Sequence, residues 1–232
     1  MITYDGVTLE SLAPVKIEDI RVSPIQYSAI ARERAIRGGS DFVRMRDGTR
    51  TVSVTFAALE DNLEVRQQYL AAINAWAKSD AEHVLLLPHM PNRYLVCVCT
   101  QKPEPSTRQW WESKLRVVFT CYDNPYWNSL YEKSVACGTS FVALGDALPL
   151  MRIEASRESA GSNQTYSNGS ESMTFSTVPA GDMVIDLNKQ TAVVGSTNIM
   201  QYYTYTSRFV QPKLGTQTIT GTGTVKYRER WQ

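Results

Sequence analysis

Hydrophobic and polar positions alternate with a period of two along most of this chain. A helical period holds over one long stretch only. Between Glu60 and Asp80, Val65, Tyr69, Ala72, Ile73 and Trp76 recur at helical spacing and make a single apolar stripe. Asp61 or Asn62 offers a short polar side chain to the orphan N–H groups of a first turn. Glu60, Asp61 and Glu64 stand where the helix dipole favours negative charge, and Lys78 where it favours positive charge. One amphipathic helix cannot bury its stripe alone, so the pattern predicts a helix lying across a sheet built from its sequence neighbours.

In the first half, Asp5-Gly6 between strand-like residues predicts a hairpin of Ile2 to Tyr4 with Val7 to Leu9. Val15 to Val22 reads as a strand. Arg32 to Arg37 reads as an exposed connection that turns at Gly38-Gly39. Asp41 to Ala58 gives the clearest hairpin signal. Phe42 to Arg46 is one limb, Asp47-Gly48 the positive-φ turn, and Arg50 to Ala58 the other limb, where Val52, Val54 and Phe56 alternate with Thr51, Ser53 and Thr55. Such an arginine-bearing hairpin is either a solvated edge or a contact arm to another subunit; Phe42, Arg44, Arg46, Asp47, Gly48, Arg50 and Val52 are its candidate interface residues. After the helix, strands are predicted at His83 to Leu87, Tyr94 to Thr100 and Lys114 to Tyr122. The middle one, with Val96, Cys97, Val98 and Cys99, is apolar on both faces and so central. Pro103 and Pro105 predict an exposed loop ahead of Trp110-Trp111.

Asn124-Pro125-Tyr126-Trp127-Asn128 reads as a linker pinned by aromatic packing, which divides the chain into residues 1–128 and 129–232. No helical pattern follows it. Strands are predicted at Leu148 to Ala155, Ser172 to Val178, Met183 to Leu187, Thr191 to Val194, Gln201 to Thr206, Thr216 to Thr220 and Thr224 to Arg230. Asn188-Lys189 turns one tight hairpin and Gly221 to Gly223 the final one. Ser156 to Ser170, rich in Ser, Asn and Gly, reads as a mobile loop. The fold class is therefore mainly β: an α+β first domain, sheet or barrel with one helix, then a β-sandwich.

Composition narrows the picture. The chain has 232 residues, 43% hydrophobic and 20% charged, an ordinary globular balance with room for two domains. Lys plus Arg is 24 against 23 for Asp plus Glu, a net charge of +1, which gives no electrostatic footprint for specific DNA binding. The longest aliphatic run, Val84 to Leu87, is far short of a membrane span, and Met1 to Gly6 shows no signal-peptide pattern. Cys97, Cys99, Cys121 and Cys137 fit no zinc spacing and are read as reduced.

Chemistry-bearing patterns are sparse. His83 and His89 with Cys97 or Cys99 have irregular spacing, so no metal site is assigned. No nucleophile elbow, phosphate-binding glycine loop or zinc-protease motif is present, and Glu60 with Asp61 is a helix start rather than an acid–base pair. No catalytic residue and no cofactor is expected. Tyr202, Tyr203 and Tyr205, the last two on one face by alternation, invite a sugar-binding reading, although strand aromatics usually serve packing.

The order of parts carries a resemblance. A strand-rich first half with one central helix and a hinge at Asn124-Pro125-Tyr126-Trp127 leads into a short sandwich ending in Lys226-Tyr227-Arg228-Glu229-Arg230-Trp231. Within the sandwich, Val184-Ile185-Asp186-Leu187 and Thr191-Ala192-Val193-Val194 form the Asp182 to Gly195 hairpin, followed by Pro212 to Ile219. Together these resemble the distal tail protein family of long-tailed, non-contractile bacteriophages. The resemblance implies a structural virion protein without enzymatic activity, assembled in the bacterial host's cytoplasm. It would form a homo-hexameric ring at the tail tip, around the DNA channel. The first domain would dock on the tail tube protein, and a galectin-like sandwich would face tail-tip and receptor-binding proteins. Rival readings are a carbohydrate-binding adhesin component and a tail-tube or terminator subunit.

Overall fold

The computed structural model describes residues 1–33, 40–60, 62–103 and 114–232; at 31–33, 40–42, 44–46, 58, 63 and 162 it describes the backbone alone. The fold is mainly β, and the chain divides into two compact units, Met1–Trp127 with Gln232 and Asn128–Trp231.

The first unit contains β1 (Thr3–Tyr4), β2 (Val7–Thr8), the one-turn helix α1 (Leu9–Leu12), β3 (Val15–Val22), β4 (Tyr27–Glu33), β5 (Ser40–Asp47), β6 (Arg50–Ala58), α2 (Leu63–Ala77), β7 (His83–Leu86), β8 (Arg93–Gln101) and β9 (Lys114–Cys121). Seven of these strands make one antiparallel sheet in the order β3-β6-β9-β8-β7-β1-β2. Alternation explains its buried face. Val52, Val54 and Phe56 of β6 stand opposite Phe119, Val117 and Leu115 of β9, and all six are buried. A bulge between Ile17 and Asp19 of β3 resets the alternation, so Ile17 and Ile20 meet Phe56 and Val54 on the same side. β8 lies between β7 and β9, the central place its two apolar faces predict. The turn between β1 and β2 uses positive φ at both Asp5 (52°) and Gly6 (74°), the conformation that an Asp-Gly hairpin requires.

The long helix packs on this sheet. Trp76 stands 5.8 Å from Tyr4 and 6.0 Å from Phe119, ring centre to ring centre, and its indole N–H donates to the Tyr4 and Val7 carbonyls. Ile73 and Ala77 are buried beside it. The Asn62 carbonyl oxygen accepts from the Glu64 and Val65 N–H groups at 2.9 and 3.4 Å, so Asn62 is the cap, and Asp61 lies outside the described residues. Asn62→Ala is expected to cost about 1 kcal/mol of stability, read as a shift of the urea midpoint. α1 escaped the sequence pattern because four residues are too few to show a period. It is fixed by the buried Leu9 and by Glu10, whose carboxylate accepts from the Ile2 N–H at 3.1 Å.

β10 (Trp127–Ser129) closes the first unit and opens the second. The second unit continues with β11 (Lys133–Ala136), β12 (Ser140–Ala143), β13 (Ala147–Arg157), β14 (Gly161–Ser167), β15 (Ser172–Val178), β16 (Gly181–Asp186), β17 (Thr191–Val194), β18 (Thr197–Asn198), a 3-10 turn (Met200–Tyr202), β19 (Gly215–Thr218) and β20 (Thr224–Trp231). One layer runs β11-β20-β13-β16-β17-β18. The other is made of the pairs β12-β19 and β14-β15, joined edge to edge where Ser167 and Thr220 exchange backbone hydrogen bonds of 3.2 and 2.8 Å. Between the layers lies one apolar core that includes Ile153, Phe175, Ile185, Ile219 and Val225.

Three expectations are corrected here. Ser156 to Ser170 is mostly paired strand: β13 runs to Arg157, and β14 buries Gln164 and Tyr166, two inward side chains too few to outweigh the Ser/Asn/Gly composition. Gln201 to Thr206 is a 3-10 turn and loop, not a strand; it meets β15 at the isolated Phe175–Tyr203 bridge. Gly221 to Gly223 closes no hairpin, because β19 pairs β12 while β20 pairs β13 and β11; the glycines carry the chain from one layer to the other. At Gly223, with φ of 104°, an added Cβ would stand 2.3 Å from the Glu154 carbonyl oxygen. Only glycine allows that approach.

Candidate subunit interface

The expected hairpin of Phe42–Arg46 with Arg50–Ala58 does not form. β5 pairs with β4, while β6 is taken by β3 and β9 in the main sheet. The reason is competition: an alternating strand such as β6 presents two ladder edges, and the flanking apolar strands β3 and β9 occupy both. β4 and β5 therefore make a ribbon of their own, in register from Tyr27↔Asp47 to Glu33↔Ser40, with a bulge between Ile30 and Ala31. The expected turn at Gly38-Gly39 lies outside the described residues, as do Pro105 and Trp110-Trp111.

Gly48 has a different task from the one its Asp-Gly context suggests. It does not adopt positive φ; it lets the backbone close at the ribbon's root, where a Cβ would lie 2.3 Å from the Gln26 carbonyl oxygen. The Gly48 N–H donates to that oxygen at 2.7 Å, and the Gln26 N–H donates to the Thr49 carbonyl at 3.0 Å. The Ser23 N–H donates to the Thr51 carbonyl, and the Tyr126 hydroxyl donates to the Asp47 carboxylate. The root is thus bolted to the main sheet, while the described ribbon side chains at Tyr27, Ser28, Ala29, Val43 and Asp47 are exposed. Tyr27 and Val43 keep 45% and 55% of their surface in water.

The predicted interface residues separate into two groups. Phe42, Arg44, Arg46 and Asp47 lie on β5, with backbones opposite Ala31, Ile30, Ser28 and Tyr27, and Gly48 ends the ribbon. Arg50 and Val52 lie instead on β6: Arg50 is 4% exposed opposite Cys121, and Val52 is fully buried between Val22 and Phe119. Val52 is a core residue and offers nothing to a neighbour. The pairing strand β4 is the missing half of the ribbon; the sequence pattern assigned no element to Tyr27–Ala31 and began the exposed connection at Arg32, within the strand's last two residues. Beside the root opens a pocket of about 390 Å³ lined by Tyr27, Pro24, Arg50, His89 and Trp127, with His89 edge-on to Trp127 at 6.2 Å.

Other candidate chemistry disperses. His83 is bound through Nδ1 to Asp5 at 2.8 Å, and among the described residues no group of His, Cys, Asp and Glu side chains is arranged to hold a metal ion. The three tyrosines diverge. Tyr203 packs 5.8 Å from both Phe175 and Phe209, whereas Tyr205 is wholly exposed, so the two do not share a face. Tyr202 is half-buried, its carbonyl accepting from the Ser176 hydroxyl. On the outer face of the second unit's larger layer, Arg152 binds Glu132 and Glu154 at 2.7 Å each and Lys226 binds Glu154 at 2.7 Å. Lys226 and then Arg152 hold the Glu154 carboxyl below its ordinary range. This self-compensated network is a solvated face rather than an acid–base site.

No protein-family model and no curated protein sequence matches the chain. Solved structures do. The crystal structure of the SPP1 Dit protein, described as a paradigm of the hub adsorption apparatus in phages infecting Gram-positive bacteria, superposes with a TM-score of 0.75. The identity is 16%, over 100% of this chain and 98% of that one. A chain of the phage P2 baseplate in its activated, calcium-bound conformation superposes with a TM-score of 0.50 and 9% identity, over 96% of this chain and 92% of that one. At these identities the likeness speaks to the path of the backbone, and over its whole length this chain has the fold of a phage Dit hub protein.

Proposed function

We propose that this chain is a structural subunit of a phage tail tip: six copies close into a ring around the DNA channel, joining the tail tube to the tip and to adhesion proteins. The observation that carries the reading is the end-to-end likeness to the SPP1 hub protein, both units included. A tube or terminator subunit would need only one barrel, and the division into two units favours the hub.

The ribbon supports the ring physically. A two-stranded ribbon is marginal in water on its own. Among the described residues β4 and β5 pair with no third strand, and the described side chains bury little. Such an element gains stability when a neighbouring copy covers it, through backbone pairing and through Tyr27 and Val43. A ribbon on one face of a subunit and its receiving surface on another is a heterologous contact, and heterologous contacts that close by rotation make rings. The first unit would form the ring and meet the tube. The second, a sandwich of the galectin-like kind, would face the tip. The role asks for no bond chemistry, and near-neutral charge suits a channel through which DNA slides.

Light scattering coupled to size exclusion, followed by negative-stain imaging, tests this. The expected outcome is a closed annular particle of six chains at high protein concentration. A chain that stays monomeric at all concentrations, and gives no ring when mixed with its tube protein, would overturn the reading.

A further inference from the structure

In the first unit, β8 and β9 place two thiols against each other. The ladder pairs Cys99 with Phe119 and Val98 with Thr120, and its irregularity comes only after Cys99. One step further along the same register, Cys97 therefore stands opposite Cys121. Both side chains point into the core and have no exposure, and both are free thiols. Residues opposed in an antiparallel pair have Cα atoms about 4.5–5.5 Å apart, within the range of about 4.4–6.8 Å that disulfides use. The other cysteines are not so placed: Cys99 faces Phe119, and Cys137 belongs to the second unit.

We propose that Cys97 and Cys121 are an oxidisable pair, which a low-molecular-weight disulfide converts into an internal disulfide stapling β8 to β9. The thiolate of one cysteine attacks the oxidant's S–S bond, forming a mixed disulfide and releasing one small thiol. The thiolate of the other then attacks the protein sulfur of that mixed disulfide and releases the second. The two protein thiols are oxidised, the oxidant is reduced to two thiols, and the chain loses two hydrogens. The neighbouring Cys121 thiol and burial hold the Cys97 thiol far above its ordinary pKa, so the closed sheet suppresses the thiolate. Oxidation therefore runs through openings that part β8 from β9. In a thiol-rich compartment the pair stays reduced, and in an oxidising one it closes slowly. This inference does not depend on the tail-tip reading.

The test uses the purified full chain incubated with oxidised glutathione, with and without sub-denaturing urea, followed by intact mass and non-reducing peptide maps. The native chain and Cys99→Ser are expected to lose two hydrogens, to show one link between residues 97 and 121, and to recover the original mass with reductant. Cys121→Ser and Cys121→Ala, checked for native circular dichroism, are expected to stop at a glutathione adduct. The oxidised chain is expected to unfold at higher urea than the reduced one. Absence of the two-hydrogen loss even in urea, a glutathione adduct that persists on the native chain, or a link to Cys99 or Cys137 would each overturn the proposal.

Discussion

Excising Tyr27 through Asp47, and joining Gln26 to Gly48 through a pair of glycines, is expected to leave a chain that folds but no longer assembles. The ends are already side by side: Gly48 and Gln26 hydrogen-bond at 2.7 Å, and Gln26 and Thr49 at 3.0 Å. A two-residue loop suits that geometry. The main sheet loses none of its ladder, because β4 and β5 pair only with each other. Its stability should therefore stay within about 0.5 kcal/mol, the range usual for changes away from a core. Light scattering should fall from the assembled mass to that of one chain, with the circular dichroism retained. A ring that survives the excision would show that the contacts between copies lie elsewhere. A chain that loses its β signal would show that the ribbon is needed for folding.

The largest stability loss is expected from Phe119→Ala. Phe119 is fully buried, lies 4.9 Å from the Tyr4 ring and 6.0 Å from Trp76, and faces Val52 across the β6–β9 ladder. It is where the sheet meets the helix. Truncating a buried phenylalanine costs about 3–5 kcal/mol, transfer and cavity together. That is a large share of the roughly 5–15 kcal/mol that holds an ordinary domain together. Urea unfolding followed by tryptophan fluorescence, to which Trp76 beside Phe119 contributes, should show the first unit's transition moving far to lower denaturant. Phe119→Leu, which keeps most of the volume, should move it much less. A loss below 1 kcal/mol for the alanine variant, a bound set against the roughly 3 kcal/mol minimum expected, would contradict the packing described.

What the sequence made legible was local. The helix could be read because Val65, Tyr69, Ala72, Ile73 and Trp76 repeat at one period, and all five are at least partly buried. β6 and β9 could be read because their alternation survives in the structure as buried and half-exposed positions. Strand partners could not be read. A period of two says that a residue faces a core but not which strand lies beside it, so Phe42–Arg46 was joined to its nearest neighbour in sequence rather than to β4. The same gap explains β19, whose partner is β12 rather than β20. Of the candidate interface, Phe42 to Gly48 fall on the ribbon and its root, while Arg50 and Val52 fall on β6, because the strand break at Thr49 has no signature beyond the glycine before it. Tyr203 and Tyr205 were misplaced because alternation was assumed across a tight turn, where Ser207 donates back to Thr204.

Gly48 gives the ribbon its aim. Any other residue there would push a carbon into the Gln26 carbonyl at 2.3 Å. The two chain segments would then have to part, and β4 and β5 would leave the main sheet at another angle. A shift large enough to relieve that approach would be amplified along strands seven and eight residues long. Position 48 therefore tolerates no side chain: the direction in which β4 and β5 leave the main sheet is set by the hydrogen atom that glycine keeps there.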